Sequence, residues 1–179
     1  MEAQTEARPV LVGRHVRIRP GHPDDAPRLQ AILAEPSVSR WWGEPASVAT
    51  IETDLRGGDS AVLLVMEIDG QVAGGIQYEE ENEPMYRHAG IDIYLSSRFQ
   101  GRGAGTEAVT LLAGFLFRAR GHHRLTIDPA AANEQAIRCY TKAGFRPVGV
   151  MRAYERGPDG RFHDGLLMDM LATGLRCGL

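Results

Sequence analysis

The stretch "YLSSRFQGRGAGTEAVTLLAGFLF" (94–117) decides how the chain is to be read. An apolar, strand-like run ends at Leu95, three glycines crowd into positions 101, 103 and 105, and a long apolar-periodic segment begins. Glycines there let the backbone turn sharply and approach a ligand closely. The helix behind them presents unpaired N–H groups and the positive end of its dipole, a combination that favours a phosphate or pyrophosphate. On these residues alone, a tight strand-to-helix turn and an anion cradle are equally good readings. The spacing is not that of the dinucleotide-binding fingerprint, and no Gly-Lys-Ser/Thr follows to make a nucleotide triphosphate loop.

On the N-terminal side, Val16 and Ile18 alternate with Arg17 and Arg19 in 10–20, which predicts a half-buried strand. Pro23 with Asp24 and Asp25 opens a helix over 22–36, buried through Leu29, Ile32 and Leu33 and stopped by Pro36. Residues 37–45, "SVSRWWGEP", read as a loop carrying two adjacent tryptophans, and 47–58 as a short helix ended by glycines. Segments 60–70 and 71–81 form a hairpin about Asp69-Gly70, and 88–96 is the next strand. A helix over 103–120 places Ala104, Ala108, Leu111, Leu112, Phe115 and Ala119 on one face. A strand at 123–129, a helix at 132–143 closed by Gly144, and a pair at 145–157 and 161–171 around "PDG" (158–160) complete the chain. The order predicts a mixed α/β domain, with hairpins on one side and a β-α-β-α-β run on the other. It is not a doubly wound order, because helices do not alternate with every strand. One domain is expected over 1–179, with its core in 10–171.

The 179 residues are 43% hydrophobic, enough for one such core. A net charge of −3 and the lack of a polybasic run argue against a nucleic-acid partner. Lys142 is the only lysine, which codon usage accounts for. Two cysteines, Cys139 and Cys177, are too few for a disulfide framework or a metal cluster, and read as reduced thiols. "MEAQTEARPV" lacks the apolar core of a secretory signal and no apolar run reaches a membrane span, so the expected location is the cytoplasm, with no membrane partner.

The order of elements, "QGRGAG" after "GIDIYL", and "NEQAIRCYTKAGF" (133–145) together resemble the GCN5-related N-acetyltransferase (GNAT) family over roughly residues 10–171. Gln100, Gly103 and Gly105 fill that family's pyrophosphate-loop pattern, and Asn133, Ala136, Tyr140, Lys142, Gly144 and Phe145 fill its second motif. The resemblance implies a central, mostly antiparallel, twisted sheet of about seven strands, splayed at its centre and flanked by about four helices. It implies acetyl-CoA as acetyl donor and no metal. The backbone of Ile93, Tyr94 and Leu95 would pair with the pantetheine arm. The loop Gln100, Gly101, Arg102, Gly103, Ala104, Gly105 and Thr106 would hold the pyrophosphate, and Asn133 would contact the cofactor arm.

Acetyl transfer to an amine requires a neutral amine, a stabilised oxyanion and a thiolate able to leave. Backbone N–H donors on the splayed strand suit the oxyanion. Tyr140 has a hydroxyl able to protonate sulfur, a role the resemblance favours over core packing. Asp92, a carboxylate within the apolar run 91–95 on the face opposite Ile91 and Ile93, is the candidate base or amine ligand. "EEENE" (79–83), Asp128 and the tryptophans suit a polycationic, sugar-like acceptor. Within the family, "WWG", "EEE", "GID", "IDP" and "AIRCYTKAGF" look like the aminoglycoside 6'-N-acetyltransferases. That likeness implies that Trp41, Trp42, Glu79, Glu80, Asp92 and Asp128 line the acceptor site. The connection "EEENEPMYRHAGID" is shorter than the acidic, aromatic-rich loop of those enzymes. The expectation is an acetyl-CoA-dependent aminoglycoside 6'-N-acetyltransferase, monomeric or homodimeric. The alternatives are acetylation of another amine, such as a protein N-terminus or a siderophore-type hydroxylysine, and a non-catalytic acyl-CoA sensor.

Overall fold

A computed structural model gives the structure of the protein and describes residues 8–57 and 61–175. Cys177 lies outside the described residues. The strands are β1 (Leu11–Val12), β2 (Arg17–Pro20), β3 (Ala61–Ile68), β4 (Gln71–Glu81), β5 (His88–Leu95), β6 (Arg124–Ile127), β7 (Arg146–Arg156) and β8 (Phe162–Leu171). The helices are α1 (Ala26–Leu33), α2 (Pro36–Trp42), α3 (Val48–Gly57), α4 (Ala104–Arg118) and α5 (Glu134–Ala143). One sheet runs in the order β1-β2-β3-β4-β5-β6-β8-β7. Every pairing is antiparallel except β5 with β6.

Alternation along the strands gives the sheet two apolar faces. Ile76, Tyr78, Ile91 and Leu125 pack with Ala108, Val109, Leu112 and Leu116 of α4 on one face. Leu63, Val65 and Tyr94 meet Leu29, Ile32, Ile51 and Leu55 of α1 and α3 on the other. Gly75 leaves room for the Tyr94 ring to lie across β4, since a Cβ at this position would come 2.5 Å from that ring.

Two features depart from the reading of the sequence. The predicted strand 10–20 is a hairpin of two short strands, which raises the count to eight. The turn between them is fixed by Glu107, whose Oε1 accepts from His15 N (2.8 Å) and Val16 N (3.1 Å). The tryptophans lie on a helix, α2, not in a loop. Pro36 starts this helix at its first position, where a fixed φ helps and no N–H is required. Glu35, just before it, accepts from Ser96 Oγ (2.8 Å) and Ser97 N (2.7 Å), which fastens α2 to the connection between β5 and α4.

The strands β5 and β6 pair only at Ala89↔Leu125 and Gly90↔Thr126. Beyond these residues they part, and β5 continues from Ile91 to Leu95 with one edge free of β6.

Candidate active site

The opening between β5 and β6 forms a cleft of about 1040 Å³. Its floor is the free edge of β5. Ser96 N donates to Ala73 O on β4 (2.8 Å). Alternation along an antiparallel pair then turns the backbone of Tyr94 toward β4 and that of Ile93 and Leu95 into the cleft. Tyr94 therefore contributes its ring and not its backbone: it is 6% exposed and meets Trp42 edge-on at 5.0 Å.

At one end stands the N-terminus of α4. Gly101 (φ 74°) and Gly103 (φ 85°) adopt left-handed conformations, and Gly103 caps the helix without a side-chain bond to its first amides. Glu107 N donates to Gly103 O (3.0 Å), so the amides of Ala104, Gly105 and Thr106 precede the first intrahelical donor and are left unpaired by the helix. The Gln100 side chain donates to Leu95 O (2.8 Å) and to Ser37 Oγ (3.4 Å), holding the loop to β5 and α2. Gly105 lies against α5, where an added Cβ would be 3.2 Å from Cys139 Sγ. Arg14, His15, Arg102, Arg138 and Lys142 surround this end. Sequence reasoning named Lys142 only as a member of the second motif and passed over Arg14, His15 and Arg138, because no motif links the β1–β2 turn or position 138 to the glycine loop.

The opposite end is acidic. Asp92, Asp128 and Glu155 line it, close enough that their charges act on one another, and Trp41 and Trp42 of α2 also line the cleft. Asp92 keeps contact with solvent through the cleft mouth while protein surrounds it, and Gln77 Nε2 donates to its Oδ2 (3.2 Å). Burial pushes the Asp92 carboxyl above the usual aspartate range, the Gln77 bond opposes this, and the charges of Asp128 and Glu79 add to the rise. Glu155 is likewise raised by burial and by Asp128. Arg40 stacks over Trp41 at 4.7 Å.

Tyr140 projects from α5 between the two ends and is 8% exposed. Burial, then the neighbouring Cys139, Asp92 and Asp128, push its hydroxyl far above the ordinary tyrosine range, so it carries its proton at any working pH. Asn133 lines the cleft and also caps α5, its Oδ1 accepting from Ala136 N (3.1 Å).

The two glutamates predicted for the acceptor side part company. Glu79 shares a face with Asp92, since its neighbour Gln77 pairs with Asp92 across β4 and β5. Glu80 points to the other face. It accepts from Arg120 Nη2 (2.8 Å) and lies 2.6 Å from His122 Nε2, under the α4–β6 connection and away from the cleft. Among the described residues, no group of three or more His, Cys, Asp or Glu could hold a metal ion, and no helix is long and apolar enough to cross a membrane.

Residues 15–146 match a family described as an acetyltransferase (GNAT) domain. The spermidine N(1)-acetyltransferase of Escherichia coli (strain K12) is 29% identical over 158 residues, covering 86% of this chain and 84% of that protein. The aminoglycoside N(6')-acetyltransferase type 1 of Klebsiella pneumoniae is 34% identical over 137 residues, covering 74% of this chain and 57% of that protein. A solved structure of AAC(6')-Ib in complex with paromomycin and acetyl-CoA superposes with a TM-score of 0.74 at 25% identity, covering 90% of this chain and 96% of that one.

Proposed function

The chain belongs to the GNAT acetyltransferase family, and from that premise we propose that this acetyl-CoA-dependent N-acetyltransferase modifies the 6'-amine of aminoglycosides. The observation that carries the acceptor reading is the charge asymmetry of the cleft: arginines, Lys142 and helix amides at one end, and Asp92, Asp128 and Glu155 at the other. A donor bearing phosphates suits the first end and a polycationic sugar the second.

The residues present fit acetyl-CoA. Helix N-terminal amides and left-handed glycines suit its pyrophosphate, and the free backbone edge at Ile93 and Leu95 suits an amide-bearing arm laid alongside as an added strand. Once bound, acetyl-CoA supplies the activated thioester. The chain's own part is to place, to desolvate and to move protons. Asp92, with its raised affinity for a proton, is suited to bind the acceptor ammonium and to accept its proton. The N–H groups of Ile93 and Leu95 face the cleft as donors for a developing oxyanion. Tyr140 holds a proton for a leaving sulfur.

A second acceptor class is favoured by the match to spermidine N(1)-acetyltransferase, which spans most of both chains. A linear polyamine presents the same spaced cations to the acidic wall. Incubating the protein with acetyl-CoA and kanamycin, tobramycin, spermidine or a basic peptide, and following free thiol, separates these readings. Thiol release with the aminoglycosides, and a product acetylated at the 6' position by mass and NMR spectra, is the expected result. Release with spermidine alone would move the assignment to polyamines, and release with peptide alone to protein acetylation. Acetyl-CoA binding without turnover of any amine would make the protein a sensor.

A further inference from the structure

The helix α2 lines the cleft through Ser37, Val38, Trp41 and Trp42, yet little of it is buried. Its seven residues are too few to stand as a helix in water, and Val38 is its one buried residue. A polar clamp adds the missing anchorage. Glu35 starts the helix with its backbone, the carbonyl accepting from Val38 N and Ser39 N (both 2.8 Å). Its side chain reaches across to the exit of β5. There Oε1 accepts from the buried Ser96 hydroxyl (2.8 Å) and Oε2 from Ser97 N (2.7 Å). Burial pushes this carboxyl up, but its bonds to Ser97 and Ser96 outweigh that and leave it below the usual glutamate range, so the clamp is charged.

The clamp decides where Trp42 stands. Gly75 and Gln77 of β4 pair with Tyr94 and Asp92 of β5. Tyr94 and Asp92 are therefore successive residues on one face of the strand, about 7 Å apart. Trp42 meets the Tyr94 ring edge-on at 5.0 Å and, still 39% exposed, lines the cleft that Asp92 also lines.

We propose that Glu35 is a positioning residue for the acceptor. Through Ser96 and Ser97 its carboxylate fixes α2 to the end of β5 and so holds Trp42 on Tyr94, one pleat repeat from Asp92, where the indole is a wall for the molecule whose amine Asp92 receives. The proposal rests on the acetyl-transfer reading above, with Asp92 at the acceptor amine. A wall displaced by about an ångström loosens the geometry in which a bound amine can attack.

Trp41 and Trp42 are the only tryptophans of the chain, so its indole fluorescence reports on α2 alone. Glu35→Gln keeps the length of the side chain but can no longer accept both bonds, since one oxygen becomes an amide donor. Its emission should move to longer wavelength as Trp42 leaves the Tyr94 ring, with far-UV circular dichroism unchanged. The acceptor KM should rise about tenfold, the loss expected when a hydrogen bond to a charged group is removed. The KM for acetyl-CoA should stay within about threefold, because Gln100 still fastens the glycine loop to Leu95 O. In a Trp42→Ala background Glu35→Gln should change the acceptor KM by less than about twofold, because the carboxylate acts through that indole. An unchanged emission, an unchanged acceptor KM, or an equal rise in both backgrounds overturns the proposal while leaving the enzyme reading intact. So does a lower melting temperature as the only effect of Glu35→Gln. Turnover of no amine by the wild-type protein overturns the acceptor reading, and the proposal with it.

Discussion

Replacing Tyr140 by Phe removes one oxygen from a side chain that is 8% exposed and lines the middle of the cleft. The ring keeps its shape, so the packing on Cys139 and the floor of α5 is preserved and stability should change by no more than about 1 kcal/mol. The catalytic consequence is far larger if the hydroxyl is the proton donor to sulfur. A positioned general acid contributes roughly 10²–10⁴-fold, or about 2.7–5.4 kcal/mol at 1.36 kcal/mol per tenfold. Because burial and nearby thiol and carboxylate groups hold the hydroxyl protonated, the loss should be the same at every pH where the protein is folded. The assay is thiol release at saturating acetyl-CoA and acceptor, with acetyl-CoA affinity measured separately at equilibrium. The expected result is a fall in kcat of at least about a hundredfold with affinity unchanged within about twofold. A kcat within about threefold of wild type would refute the reasoning and leave Tyr140 as a core aromatic of α5. A loss confined to high pH would refute it too, by showing a hydroxyl that titrates in the working range.

Three further outcomes test the rest of the site. Gly103→Ala meets no atom within 4 Å, so its effect comes only from holding φ 85° with a side chain, about 1–2 kcal/mol. It should raise the acetyl-CoA KM severalfold and spare the acceptor KM. Glu80→Ala strips the fully buried His122 of its carboxylate and should cost about 1–3 kcal/mol in a thermal or urea melt. The acceptor KM should not move, because Glu80 faces away from the cleft; a rise would return this residue to the acceptor site. Asp92→Asn should cut turnover and yet melt no lower than wild type at neutral pH. The fold raises the Asp92 pKa, so the native state holds its proton more tightly than the unfolded chain. Stability is therefore lost as pH rises from the ordinary aspartate range through the raised value, and Asn escapes that loss. Below both values the two proteins should converge, and a lower Tm for the variant at neutral pH would contradict the shift.

Much of this protein is written locally. Asp69 and Gly70 both take positive φ, as the hairpin dipeptide demands, and Gly144 closes α5 in a left-handed cap. The glycines before α4 turn as their spacing implied, and strand alternation set Asp92 apart from Ile91 and Ile93. That same alternation, applied to Glu79 and Glu80, would have shown that neighbours in a strand cannot both face one cleft. Pro36 was ambiguous for a local reason too, since proline both ends one helix and starts another.

Other features depend on partners distant in the chain. The cleft exists because β5 and β6 pair at only two positions and then diverge, and nothing within either strand announces where pairing stops. Arg14 and His15 reach the cradle because Glu107 holds their turn from 92 residues away. The two extra residues of β7 are secured by the side chain of Asp164, which accepts from Ala153 N on the neighbouring strand. Backbone conformation and the face of a side chain follow from neighbours a few residues apart, which is why motif and period exposed the cofactor cradle. Which wall a carboxylate joins follows from strand registry and bulges, which only long-range packing sets, and so the acceptor end became legible only in the folded chain.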